Sequence, residues 1–109
     1  MISVVFDRNK YKLTLEGHAY SGEAGHDLVC SAASILAYTL ASNIEYIAEC
    51  GQAKEPMAEL KEGSATICCM PQKGYASIVA LVFETICAGY SLLANNYPEN
   101  LTFTVIESI

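Results

Sequence analysis

Two side chains in this 109-residue chain, paired as base and nucleophile, are suited to nucleophilic chemistry, and they lie within one glycine-rich segment. The segment is Gly17 to Ser34, reading GHAYSGEAGHDLVCSAAS. Cys30 is expected in the first turn of a helix. Free backbone N–H groups and the positive end of the helix dipole favour a thiolate there. His18 lies at the mouth of the preceding loop and could fold back to take the thiol proton. Asp27 precedes Cys30 by about one turn. It suits either an N-cap or first-turn role, or the orientation of an imidazolium. Ser34 falls on the same helical face as Cys30, where it could bond near the thiol or to a carbonyl of its own helix. Gly22 and Gly25 mark a loop whose N–H groups could hold an oxyanion, and such a loop could close over a reactive thiol.

Each assignment has a plainer rival. A cysteine in an apolar helix is commonly a small buried hydrophobe. A loop histidine is commonly unremarkable. His26 adjoins Asp27 and is a rival base, although the dipole disfavours a cation at a helix start. His18, His26, Cys30, Cys50, Cys68 and Cys69 could in principle bind zinc. No cysteine pair has the short spacing of structural sites, and the side chains of neighbours Cys68 and Cys69 would point to opposite faces of a strand. No metal or other cofactor is therefore expected.

Composition bounds the remaining possibilities. Apolar residues make up 52% of the chain, enough for the core of a single domain spanning residues 1–109. Acids outnumber lysine plus arginine by 12 to 6, for a net charge of −6. The lysines are scattered singly and Arg8 is the one arginine, which argues against direct nucleic-acid binding. Glu45, Glu49, Glu55, Glu59 and Glu62 read as a solvated acidic face that could also attract a basic chain. Five cysteines form an odd set, and the N-terminal residues lack a signal-peptide pattern, so a cytoplasmic protein with reduced thiols is expected. The apolar run 75–94 carries Glu84 near its middle, which disfavours a membrane span. The phosphate-loop, dinucleotide and serine-hydrolase fingerprints are absent from the sequence. A cysteine phosphatase would want an arginine shortly after the nucleophile, and none follows Cys30.

The elements that must position these residues are legible from periodicity. Ile2, Val4 and Phe6 alternate with their neighbours, as do Tyr11, Leu13 and Leu15, predicting a hairpin around 7–10. A helix is expected from 26 or 27 to about 42, with Val29, Ala33, Leu36 and Leu40 as its apolar stripe. Residues 44–53 are ambiguous between a short helix and an irregular crossing, and Gly51 and Pro56 suggest interruption. Strands are expected over 57–61 and 65–70, then a helix over 75–95 with Ile78, Val82, Ile86 and Leu93 on its apolar side. A last strand covers 101–106. The order β-β-α-β-β-α-β predicts an α+β fold: a mostly antiparallel sheet with two helices packed on one face. The high apolar fraction in so short a chain favours a homodimer.

The glycine-rich segment also resembles a known family, the bacterial ribosomal-processing cysteine proteases of the Prp (YsxB-like) group. Their signature is G-H-A, a short loop, then G-x-D-x-V-C and a small-residue helix reaching a serine. Here these are Gly17-His18-Ala19, Gly25-His26-Asp27-Leu28-Val29-Cys30 and Ser31-Ala32-Ala33-Ser34. Tyr97-Pro98 and the closing strand extend the likeness. Ser31 stands where the family usually has a small apolar residue. The resemblance implies Cys30 as nucleophile and His18 as general base, with Asp27 and Ser34 in supporting positions. It implies a dimeric cytosolic endopeptidase. The substrate would be the short N-terminal extension of a large-subunit ribosomal protein, the twenty-seventh in the usual series, cleaved after a hydrophobic segment ending in an aromatic residue. A non-catalytic ribosome-assembly or ribosome-associated protein is the competing reading, and another thiol enzyme is a third.

Overall fold

The computed structural model describes residues 1–18 and 24–109; within 24–27 it describes the backbone alone. The elements are β1 (Ile2–Asp7), β2 (Lys12–Gly17), α1 (Ala24–Glu49), β3 (Ala53–Lys61), β4 (Ser64–Pro71), α2 (Ala76–Asn96) and β5 (Leu101–Ile106). The strands form one sheet in the order β3-β4-β2-β1-β5. β1–β2, β2–β4 and β3–β4 pair antiparallel, and β1–β5 pairs parallel. Both helices cover one face, as the element order predicts.

The strand alternation selects that face. Ile2, Val4, Phe6, Leu13, Leu15, Ala65, Ile67 and Cys69 are all buried beneath the helices. Their neighbours Ser3, Lys12, Thr14, Thr66 and Cys68 take the other side, because successive side chains in a strand alternate. Cys68 and Cys69 thus diverge as expected.

α1 is longer than its predicted span at both ends. The buried stripe Val29, Ala33, Ala37 and Leu40 continues through Ile44 and Ile47. Burying each of those last two isoleucines stabilises by about 1.5–3 kcal/mol, which outweighs the modest helix propensity of the segment. The ambiguous stretch is therefore helix as far as Glu49. It stops at Gly51, whose φ of +77° suits glycine. The Gly51 N–H donates to Ala48 O and the Gln52 N–H to Ile47 O, at 3.0 and 2.9 Å. This nested pair is a Schellman cap.

Pro56 does not interrupt β3. It lies in an edge strand, where its missing N–H costs least, and the register shifts between Lys54 and Met57. α2 presents a face rotated from the predicted one: Ile86 is buried and Val82 and Leu93 pack against the core as expected, but Ile78 does not. Val79, Phe83, Ile86, Cys87 and Tyr90 are buried, whereas Ile78 and Leu81 are exposed. The helix is apolar nearly all round, so its periodicity is ambiguous. The large rings decide: Phe83 stacks on Phe6 at 5.4 Å, and Tyr90 lies 6.3 Å from Phe103. The Tyr90 hydroxyl donates to Ala33 O of α1 at 2.8 Å, which satisfies it inside the core. Leu28–Glu49 and Ala76–Asn96 are each long and apolar enough to cross a membrane by length and composition. Here both pack against the sheet.

Candidate active site

β2 ends at Gly17, and His18 follows. Gly17 has φ +103°, and a Cβ there would come within 2.2 Å of the Met1 carbonyl oxygen. Both conditions require glycine, so the chain can turn out of the sheet and deliver His18 at the strand end. The Gly17 N–H donates to Gly63 O at 2.9 Å, joining the end of β2 to the β3–β4 turn. Beside it, Ser64 Oγ donates to Glu16 Oε1 at 3.1 Å.

The second wall is α1. Cys30 is half-buried, and Ser34, one turn later, is exposed. Since α1 begins at Ala24, Cys30 lies in the second helical turn, not in the first as the sequence suggested. The dipole effect falls off beyond the first turn, so stabilisation of a thiolate must rest more on a nearby base. Asp27 is a first-turn residue and not the N-cap. Gly25 belongs to the first turn of α1 and not to a loop. The backbone at Gly22 and the side chains of His26 and Asp27 lie outside the described residues.

His18, Cys30 and Ser34 all line one cavity of about 440 Å³. Ile2, Leu15, Ala33, Ala37 and Leu60 make its apolar lining, with Tyr38 beside them. Lys61, Glu62, Gly63 and Ser64, from the β3–β4 turn, complete it. Nothing in the sequence signals that the turn between the strands expected over 57–61 and 65–70 meets His18. That proximity follows from the pairing of β2 with β4, two strands separated by a helix and another strand.

The other thiols have different surroundings. Burial pushes Cys69 up to about 11, with the Cys68 thiol adding to the shift. Burial likewise pushes Cys87 up to about 12. Both are poor nucleophiles near neutrality. Cys50 is exposed just beyond α1, and Cys68 is half-buried on the outer sheet face. Among the described residues, no three His, Cys, Asp or Glu side chains gather as a metal site. Glu59 holds the Lys61 ammonium at 2.6 Å on the exposed side of β3. An imidazole and a thiol sharing one cavity can perform proton transfer and nucleophilic attack on a carbonyl. The apolar lining suits an apolar segment of a bound chain.

Comparison with known proteins bears on this arrangement. The family model of the cysteine protease Prp matches residues 1–102. SMU.848 from Streptococcus mutans is 27% identical, with a TM-score of 0.69 over 98% of this chain and 93% of that one. The essential ribosomal processing protease Prp from S. aureus, solved with a covalently linked product peptide, is 23% identical with a TM-score of 0.74. The same protease with a substrate peptide gives 22% and 0.73. Each of these two covers 96% of this chain and 99% of its own. At those identities the likeness to the S. aureus structures is one of fold. No curated protein sequence matches.

Proposed function

Because the chain belongs to the Prp family of cysteine proteases, we propose that Cys30 is its nucleophile, His18 its general base, and an extended ribosomal protein its substrate. The observation that carries this reading is that both side chains line one cavity. The S. aureus relative, captured with substrate and with covalently linked product peptides, supports the same chemistry. The substrate is the N-terminal extension of the twenty-seventh large-subunit ribosomal protein, and the reaction takes place in the cytoplasm.

In this mechanism His18 takes the Cys30 proton, and the thiolate adds to the scissile carbonyl carbon. Backbone N–H groups stabilise the oxyanion. Gly22 and the first turn of α1, which includes Gly25, are the candidate donors. Protonated His18 gives its proton to the leaving amine as the C–N bond breaks. Water then adds to the thioester, losing its proton to His18. The C–S bond breaks, the new carboxyl end departs, and Cys30 recovers its proton. Ser34 borders the thiol from the next turn of α1, and Asp27 supports from the first.

The test is cleavage of the extended ribosomal protein by wild type, Cys30→Ser and His18→Ala. Shortening by the wild type alone is expected. Shortening by Cys30→Ser would remove the nucleophile, and no shortening by any of them would favour a non-catalytic assembly factor.

The active form is a homodimer. Leu28, Ile35 and Tyr46 of α1 and Leu81 and Leu92 of α2 are each more than half exposed, between 57% and 66%. So much exposed apolar surface on two neighbouring helices suits a second copy better than water. Sedimentation equilibrium should give twice the 11.8 kDa chain mass. A Leu81→Glu, Leu92→Glu double variant should shift it toward monomer, and a wild-type monomer at micromolar concentration would refute the dimer.

A further inference from the structure

Gly63 stands between β3 and β4 with φ +77°. A Cβ built on it would lie 2.5 Å from Nε2, 2.9 Å from Cε1 and 3.3 Å from Cδ2 of His18. The imidazole therefore occupies the volume that any side chain at position 63 would need. The Gly63 carbonyl also accepts the N–H of Gly17, the residue before His18, at 2.9 Å. One residue thus anchors the backbone leading into the histidine and sets a limit on its ring.

Resting on the reading of His18 as general base, we propose that Gly63 is a positioning residue: its bare Cα is the seat of the His18 imidazole, and the β3–β4 turn sets the ring's orientation in the cavity. The turn is the stiffer partner. It is tied by the Gly17–Gly63 hydrogen bond and by the Ser64–Glu16 bond beside it. A side-chain ring turns about its own torsions more cheaply than such a turn shifts. A methyl group at 63 should therefore displace the imidazole and leave the turn in place. Misplacing a catalytic group by about 1 Å can cost on the order of 100-fold in rate.

Backbone strain must be separated from this effect, since an L residue at φ +77° is strained whatever it touches. Gly51 supplies the control. Its φ is also +77°, and a Cβ there meets nothing within 4 Å. Gly63→Ala and Gly51→Ala thus share the strain, but only the first meets the histidine. Gly63→Asn is the second variant, because Asn tolerates the left-handed region better than most L residues yet still carries a Cβ.

The experiment measures kcat and KM on a peptide of the extended substrate, thermal unfolding, and the NMR titration of His18. The chain has two histidines, so His18 is assigned by comparison with His26→Gln. Gly63→Ala and Gly63→Asn should lower kcat by about tenfold or more, with KM within about threefold. They should also shift the His18 ring resonances and titration midpoint. Gly51→Ala should lose stability much as Gly63→Ala does, while keeping wild-type kcat and wild-type His18 resonances. If kcat and the His18 titration of both position-63 variants match those of Gly51→Ala, the positioning role is refuted. If the wild type proves inactive while the position-63 variants still shift the His18 titration, the positioning role stands and the protease reading falls.

Discussion

Where Asp7, Lys12 and Ile106 lie side by side, the sheet is closed by large side chains. Phe83 stacks on Phe6 and meets Tyr11 edge-on at 6.4 Å. Arg8 reaches Glu84 and Glu107 at 3.3 and 3.4 Å. Asp7 Oδ1 accepts the backbone N–H of Asn9 and of Ser108. At the opposite end, where Ile2 pairs with Gly17 and Glu16 with Ser64, two glycines make the closest approaches, and a cavity opens beside them. One end is filled and cross-linked, and the other is left open around an imidazole and a thiol. The contrast shows how a small domain divides its tasks. Buried residues such as Ile2, Leu15 and Ala33 support the open end too, but there the packing stops short of filling the space beside His18 and Cys30.

That division can be broken from either side. The largest effect belongs to the open end. Cys30→Ala and His18→Ala should each lower kcat/KM by on the order of 10³-fold or more. Their melting temperatures should stay close to wild type, and a large drop in melting would make these residues part of the stability frame instead. At the filled end, Phe83→Ala should cost about 3–5 kcal/mol in denaturant unfolding. Molecules still folded should cleave normally. A folded but inactive Phe83→Ala would show that the two ends are coupled.

Tyr90→Phe sharpens the comparison, because its hydroxyl joins buried α2 to Ala33 on the cavity wall. A loss of about 1 kcal/mol in stability is expected, with little change in rate. A rate loss larger than the stability loss would show that this bond also tunes the cavity. The smallest effect is confined to acid. The adjacent Ser108 hydroxyl, together with the backbone N–H groups of Ser108, Asn9 and Lys10, holds the Asp7 carboxyl below its ordinary value of 3.8. Its stabilisation is present above that value and lost as pH falls through the lower, folded-state pKa. Acid unfolding of Asp7→Asn should therefore be less steep than that of wild type, and identical profiles would remove Asp7 from the account.

The order of elements and the core residues of β1 and β2 were legible in the amino-acid sequence, which also singled out His18, Cys30 and Ser34, three residues that line one cavity. Strands declare themselves by alternation, and Gly, Pro, Asn and Asp punctuate them through local backbone preferences. Local signals failed where a segment offered two answers. α2 is apolar on several sides, so Ile78 appeared as suitable a core residue as Val79. The end of α1 lacked a strong propensity until Ile44 and Ile47 found the sheet. Cys30 stood one turn deeper than expected, because α1 begins at Ala24 and not at 26 or 27.

The sequence by itself determined which residues can act and which strands and helices can form, since reactivity and periodicity are properties of side chains and their near neighbours. Tertiary structure alone decided that a glycine between β3 and β4 would receive the ring of His18, and that Cys30 and His18 would border one cavity. The glycine's approach to His18 and the β3–β4 turn's place in the cavity wall join segments far apart along the chain. They exist because the strands pair in the one arrangement that buries a continuous apolar face beneath both helices, a condition on the whole chain that no short stretch can express.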